Sequence, residues 1–451
     1  MDCTTPAARR YRKRQSNDVR GNPGVTTQTT EGARPKPAGK PCFDCLDEAI
    51  AVDQPPLAAP RDVAFWLIAY VFAATMLGTT LPTPLYVIWQ SPWHFSSGVV
   101  TLIFAVYAAG VLAALVFAGR ASDQVGRRPV LGAALALSAL STVVFVVATS
   151  VGWLFLGRVL SGFSAGLMTG TATATLTDML GPAKPRRASL VATVVNTGGL
   201  GLGPLVAGLF AQYLPHPTVL VFEVYLALLV AAALAVASVP ETVPQRKKLS
   251  IRFAGFGFPP EGRDEFLAAG VAGFAAFSLL GIFSALAPTF LGGVLHQHSH
   301  AVAGAVVFMI FAISAATQVV VGHFDYRKVA SFGLALFLLV LALIVAGLSQ
   351  ASFGLFLAGT GVGGVAVGCV FMGSLSTANR LAPPERRGQV VSSYFVFCYV
   401  GLAIPVIAVG IASEHFGIFR SVLVCSIALA VLSLVSLAMF QTGGVARRAK
   451  A

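Results

Sequence analysis

Three long stretches of this chain contain no Asp, Glu, Lys or Arg: Val63–Gly119, Phe266–Phe324 and Val329–Asn379. A fold bathed in water needs charge along every exposed face, and these stretches cannot provide it. A helix crossing a bilayer needs roughly 20 apolar residues, so each stretch holds two crossings joined by a hairpin. Single crossings fit in Pro129–Gly157, in Val159–Thr177 extended back past Arg158, and in Ala188–Tyr213, Thr218–Val239, Gly388–Ser413 and Ser421–Phe440. The total is twelve. Only 11% of the 451 residues are charged, against about 25% in an ordinary soluble domain. The predicted fold class is an all-α membrane protein of twelve transmembrane helices.

The basic residues orient the threading. All Lys and Arg except Arg158 and Arg420 lie in the two tails or in every second connection, beginning with Arg120, Arg127 and Arg128 and then Lys184, Arg186 and Arg187. Short loops rich in Lys and Arg stay on the cytoplasmic side, so both termini are predicted to be cytoplasmic and the number of crossings even. The net charge of +13 follows from this. It is scattered over seven segments and rarely interleaved with aromatics, which argues against nucleic acid and for an anionic leaflet. The excess of Arg over Lys hints at a bacterial inner (plasma) membrane.

The chain divides by composition. Residues 1–60 are basic and rich in Pro, Gly and Thr, and read as a disordered cytoplasmic tail. Residues 61–240 and 264–441 each hold six crossings, 241–263 form a cytoplasmic linker, and 442–451 a second tail. The first apolar run begins near Val63, too far in and too long for a cleavable signal. Cys42 and Cys45 have zinc-like spacing but no second pair and no nearby His, so no metal, and no cofactor of any kind, is expected. His296, His298 and His300 cluster in one loop without a carboxylate and give the same expectation. A monomer is expected, embedded in the lipid bilayer.

The two halves repeat. Arg186-Arg187-Ala188 matches Arg386-Arg387-Gly388 at an offset of 200, and Gly162 and Gly166 match Gly364 and Gly368 at 202. Two like-built bundles that rock about a midplane site are a recurrent plan for secondary transporters.

The strongest local signal follows the second crossing: Gly119-Arg120-Ala121-Ser122-Asp123-Gln124-Val125-Gly126-Arg127-Arg128-Pro129. Its glycines permit a tight turn, Asp123 suits a helix N-terminus, Pro129 suits the first turn of a helix, and Arg127 and Arg128 need carboxylates, of which Asp178 is the obvious one. A positive-inside turn would explain the arginines but not the spacing. This segment resembles the loop signature of the major facilitator superfamily, and the likeness extends over about residues 62–441. It implies two pseudo-symmetric six-helix bundles and a latch holding the halves together on the cytoplasmic side, formed by Gly119, Asp123, Gly126, Arg127, Arg128 and Asp178. The second-half counterpart, Gly322–Lys328, is a shortened version.

Two further segments carry the resemblance. Arg158, in Gly157-Arg158-Val159-Leu160-Ser161-Gly162, is an ionisable residue inside a crossing, costing about 2.5–3.5 kcal/mol at the helix centre. It is either functional or reaches out to the interface. The segment is similar to the family's fourth-span motif, whose Arg is linked to proton coupling. Gly199-Leu200-Gly201-Leu202-Gly203-Pro204, with Gly208 beyond it, makes a smooth face for close helix packing. It resembles the family's fifth-span antiporter motif, which implies export. Glu223 is the one carboxylate well inside a crossing and a second candidate for the proton.

These features predict a proton-driven exporter of a small amphipathic molecule by alternating access, resembling the twelve-span drug:proton antiporters. Its partners are that molecule and protons. A proton symporter importing a metabolite and a non-transporting sensor or scaffold are the alternatives. An enzyme is not expected, since no His/Asp or Ser/His set converges. Tyr70, Asn196, Gln318 and Tyr394 are candidate substrate contacts, as polar groups in otherwise apolar crossings.

Overall fold

The computed structural model describes residues 61–119, 121–181, 185–243, 257–383 and 386–448, which are almost wholly helical. The tail 1–60 with Cys42 and Cys45, Arg120, Lys184 and residues 244–256 of the linker lie outside the described residues.

Among the described residues, twelve helices are long and apolar enough to cross a membrane. They are span 1 (Arg61–Trp93), span 2 (Ser97–Ala118), span 3 (Arg127–Val146), span 4 (Val151–Leu180), span 5 (Arg187–Tyr213), span 6 (Pro217–Ser238), span 7 (Arg263–Gly293), span 8 (His300–Val321), span 9 (Tyr326–Ser349), span 10 (Phe353–Leu381), span 11 (Arg387–Phe416) and span 12 (Ile418–Gln441). Within hydrocarbon every backbone N–H and C=O must be satisfied internally, and a helix does this over any apolar sequence. Polar side chains cap several of the starts. Ser96, Ser299 and Ser352 each accept from the N–H three residues on, and Asp325 accepts from the N–H groups of Arg327 and Lys328.

Three boundaries differ from those expected. Span 1 is interrupted: its first helix ends at Thr80, a short 3-10 turn covers Thr83–Leu85, and helix resumes over Tyr86–Trp93. Pro82 and Pro84 remove two backbone donors there. Span 4 begins at Val151, inside the Pro129–Gly157 stretch expected for span 3, and Arg158 lies in its third turn. The last helix runs on from span 12 to Arg448, past the expected end at 441.

The internal repeat becomes a repeat of contacts. A Cβ on Gly162 or Gly166 would press on the backbone of span 2 near Tyr107 and Val111; one on Gly364 or Gly368 would press on that of span 8 near Ile310 and Ser314. Span 4 therefore packs on span 2 as span 10 packs on span 8, each through small residues that let the backbones approach. Between the halves, span 5 lies along span 8 and span 2 along span 11.

Candidate functional site: a cleft between the halves, closed at one end

A small pocket, about 70 Å³, lies at mid-depth between the halves. Thr79, Tyr107, Asn196 and Thr197 line it from the first half, and Phe277, Ser314, Gln318 and Tyr399 from the second. Asn196 and Phe371 also line a larger cleft of about 590 Å³, which reaches Gly119, Asn379 and Arg387 at the side of the basic loops. The two together form a path open on the basic side.

The opposite side is shut by close helix packing. A Cβ on Gly304 of span 8 would overlap the carbonyl oxygen of Pro204 in span 5, and one on Gly208 would lie 2.5 Å from the carbonyl oxygen of His300. Gln212 Oε1 accepts from the His300 N–H at 3.0 Å, so the end of span 5 caps the start of span 8. The other pair repeats this. Glu414 Oε1, at the end of span 11, accepts from the Gly98 N–H at the start of span 2 at 2.6 Å. A Cβ on Gly410 would overlap the side chain of Thr101. Gln212 to Glu414, Gly98 to His300 and Gly208 to Gly410 are all separations of 202 (414 − 212, 300 − 98, 410 − 208). The closure is thus built twice by one repeat.

Arg158 stands directly behind the pocket wall. It is fully buried, so it does not reach the interface. Its Nη1 donates to the carbonyl oxygen of Thr79, while Nε and Nη2 have no hydrogen-bond partner among the described residues. The rings of Tyr107, Tyr86 and Phe104 surround the guanidinium at 5.4, 5.5 and 5.6 Å. Cation–π attraction offsets part of the desolvation. No carboxylate is paired with it among the described residues. Thr79, Phe104 and Tyr107 each touch both the pocket and this charge.

At the basic side, Arg127 bonds to Asp123 Oδ1 at 2.5 Å, Asp178 Oδ2 at 3.1 Å and Ser122 Oγ at 2.7 Å. Gly126 has φ +106°, a conformation that favours glycine, and a Cβ there would press into the Glu241 carboxylate. That carboxylate accepts from the N–H groups of Arg127 and Arg128 at 2.8 and 3.1 Å and caps span 3. Arg128 Nη2 donates to the carbonyl oxygen of Ala237 at 2.7 Å. In the second half, Arg327 makes a two-pronged pair with the buried Glu265 at 2.8 and 2.7 Å.

A family model described as the Major Facilitator Superfamily matches residues 66–324. The chain belongs to that superfamily. It is 36% identical over 154 residues to a triacylglyceride transporter of Mycolicibacterium hassiacum, a match covering 33% of this chain and 28% of the relative. It is 29% identical over 146 residues to multidrug resistance protein 2 of Bacillus subtilis, covering 32% and 36%. The matches thus span about a third of the length of these relatives. The fold is similar to that of a bacterial homolog of the human lysosomal transporter Spinster, solved inward-facing and unoccupied (TM-score 0.69, 15% identity, 86% of this chain and 98% of that one). It is also similar to the human organic anion transporter MFSD10 (TM-score 0.62, 20% identity, 86% and 100%). Membership of the superfamily and the twelve candidate spans among the described residues agree on a multi-pass membrane protein.

Several expected superfamily site residues are placed otherwise than expected. Every partner named here for Arg127 and Arg128 lies in the first half, in the loop between spans 2 and 3, in span 4, in span 6 or in the segment directly after it, so these contacts hold the first half together. The open cleft separates the halves on that side. Glu223 is exposed in the second turn of span 6 and lines neither the pocket nor the cleft. Tyr70 donates to the carbonyl oxygen of Leu228 at 2.9 Å and ties span 1 to span 6. Tyr394 is buried against Ser374 Oγ at 2.8 Å, behind the cavity. Asn196 and Gln318 do line the pocket. Gly199 and Gly203 face span 1, at Ala73 and Leu77, while Pro204 and Gly208 face span 8. Sequence reasoning missed Gln212, Glu241, Glu265 and Glu414. The signal for Gln212 and Glu414 was present as the 202-residue offset.

Proposed function

We propose that this protein is a proton-driven exporter of small amphipathic molecules, lying in the plasma membrane with both termini in the cytoplasm. The observation that carries this reading is the cleft: it is open on the basic side and shut on the other by paired, repeat-related helix contacts. A carrier working by alternating access needs one closed end at a time, and two similar lobes can exchange which end is closed. With the basic loops placed in the cytoplasm, the cleft faces the cell interior and is ready to load a substrate for export. Multidrug resistance proteins among the relatives and the Gly-Pro segment of span 5 support outward transport. A proton moving through 100 mV supplies about 2.3 kcal/mol.

Arg158 is the residue we assign to coupling. Its charge is permanent, so it acts as a fixed field on the pocket rather than as the proton carrier. Glu223, exposed on span 6, is left out of this path. Everted vesicles with an imposed pH gradient should accumulate a fluorescent amphiphile, and an uncoupler should release it. Accumulation unaffected by the uncoupler would remove the proton from the mechanism, and uptake in the opposite sense would make the protein an importer.

The Asp123–Arg127–Asp178 cluster is proposed to time the cycle by locking spans 2, 3 and 4 into one rigid body. Asp123 is 61% exposed, so its pairing contributes about 0–1 kcal/mol to folding. Asp123→Asn should slow turnover several-fold while leaving the ranking of substrates unchanged. Counterflow rates for a set of dyes in proteoliposomes test this, and wild-type turnover in the variant would exclude the role.

A further inference from the structure

We propose that the cavity takes uncharged and anionic amphiphiles and turns away cations. This deepens the reading above and rests on the cleft being the transport path. The argument begins with a census of carboxylates. Among the described residues, Asp62, Glu223, Glu261 and Asp264 are exposed. Asp123, Asp178 and Glu241 serve the Arg127 cluster, Glu265 is paired with Arg327, and Asp325 and Glu414 cap helices. None lines the pocket or the cleft. A cation entering there would lose its water and meet no opposite charge.

The fixed charges that are present have the other sign. Among the described residues, Arg387 is the one charged residue lining the cleft, near its mouth. Arg158 lies behind the inner wall with two nitrogens that have no hydrogen-bond partner. Arg158 sits beside a space of low polarity, where a like charge is repelled more strongly than in water, and the exposed Arg387 adds charge of the same sign at the entrance. Gln318, 1% exposed, lines the pocket and bonds through Nε2 to Ser314 Oγ, while its Oε1 has no partner. That oxygen awaits a hydroxyl or amide donor on a ligand. Tyr107, Phe277 and Tyr399 offer ring faces to an apolar body. A neutral or acidic amphiphile satisfies all of these groups; a lipophilic cation satisfies only the rings. In the proposed orientation, an inside-negative potential also drives an anion outward.

The test uses the purified full-length protein and three probes: N-phenyl-1-naphthylamine (uncharged), 1-anilinonaphthalene-8-sulfonate (anion) and 4-(4-dimethylaminostyryl)-N-methylpyridinium (cation). Binding is read by fluorescence titration, and transport in proteoliposomes. The uncharged and anionic probes should bind about tenfold more tightly than the cation. Leu280→Trp, which fills the pocket, should abolish that binding, and Gln318→Glu should reverse the order of anion and cation. Cation binding equal to or tighter than the anion's in the wild type overturns the proposal. So does binding that Leu280→Trp leaves intact, because the probes then sit elsewhere. If Gln318→Glu does not fold, Ser314→Asp places a carboxylate one turn away and carries the same expected reversal. Selective binding without transport of any probe would retain the charge preference and discard the carrier reading, so the two fail separately.

Discussion

Replacing Arg158 by alanine should reduce transport in proteoliposomes at least about 100-fold, equivalent to about 2.7 kcal/mol of lost coupling or barrier stabilisation, while the protein stays folded. The reason lies in how poorly the guanidinium is satisfied. It is fully buried, has one hydrogen bond to the Thr79 carbonyl and three rings around it, and its other two nitrogens have no partner. A buried charge in this condition costs folding energy, so removing it should leave the melting temperature level or higher. A side chain kept only for packing would show the reverse, lost stability with transport retained. Arg158→Lys separates charge from shape. Lys keeps the charge as a compact point but loses the planar fork that lies among three rings, and should restore only part of the activity. Transport by Arg158→Ala at the wild-type rate would end the assignment.

Replacing Gly304 by leucine should lock the carrier out of the conformation described here. The Gly304 Cα lies where span 8 crosses span 5, and a Cβ there would overlap the Pro204 carbonyl oxygen. Both neighbours are helix backbone and cannot move aside as a side chain would. Overpacking at such a contact costs about 1–3 kcal/mol, and the cost falls only on the state in which this end is closed. A bias of that size changes the ratio of the two states by about 5- to 150-fold. Transport should fall accordingly. Spin labels at Tyr213, the last residue of span 5, and His298, just before span 8, should report a longer distance in the variant. An unchanged distance distribution would mean that spans 5 and 8 do not form the moving contact. Gly208→Leu, at the neighbouring crossing, should act in the same direction.

Much of the architecture was legible from residue types alone. The charge-free stretches and alternating basic loops reveal the number and order of spans, because the bilayer penalises charge wherever it occurs in a crossing. The repeat was legible too, since Gly162 and Gly166 and their counterparts Gly364 and Gly368 meet equivalent backbones. The candidate site was far less so. Among uniformly apolar helices, polarity does not mark which face turns inward. Tyr70 and Tyr394 therefore looked as eligible as Asn196 and Gln318, and Tyr107 and Tyr399 drew no notice. Glu223 shows the same limit, because a carboxylate within a span can face outward near the end of its helix.

Chain chemistry by itself settles the membrane, the twelve crossings and their two-fold plan, since each follows from solvation of one segment at a time. Whether Arg127 binds its own half or the other, which end of the cleft is shut, and that Arg158 has no carboxylate partner among the described residues are matters of distance between segments far apart in the chain. Those distances arise only when the two bundles pack, because a hydrogen bond or a backbone contact acts over a few ångströms and carries no mark in the local sequence of either partner.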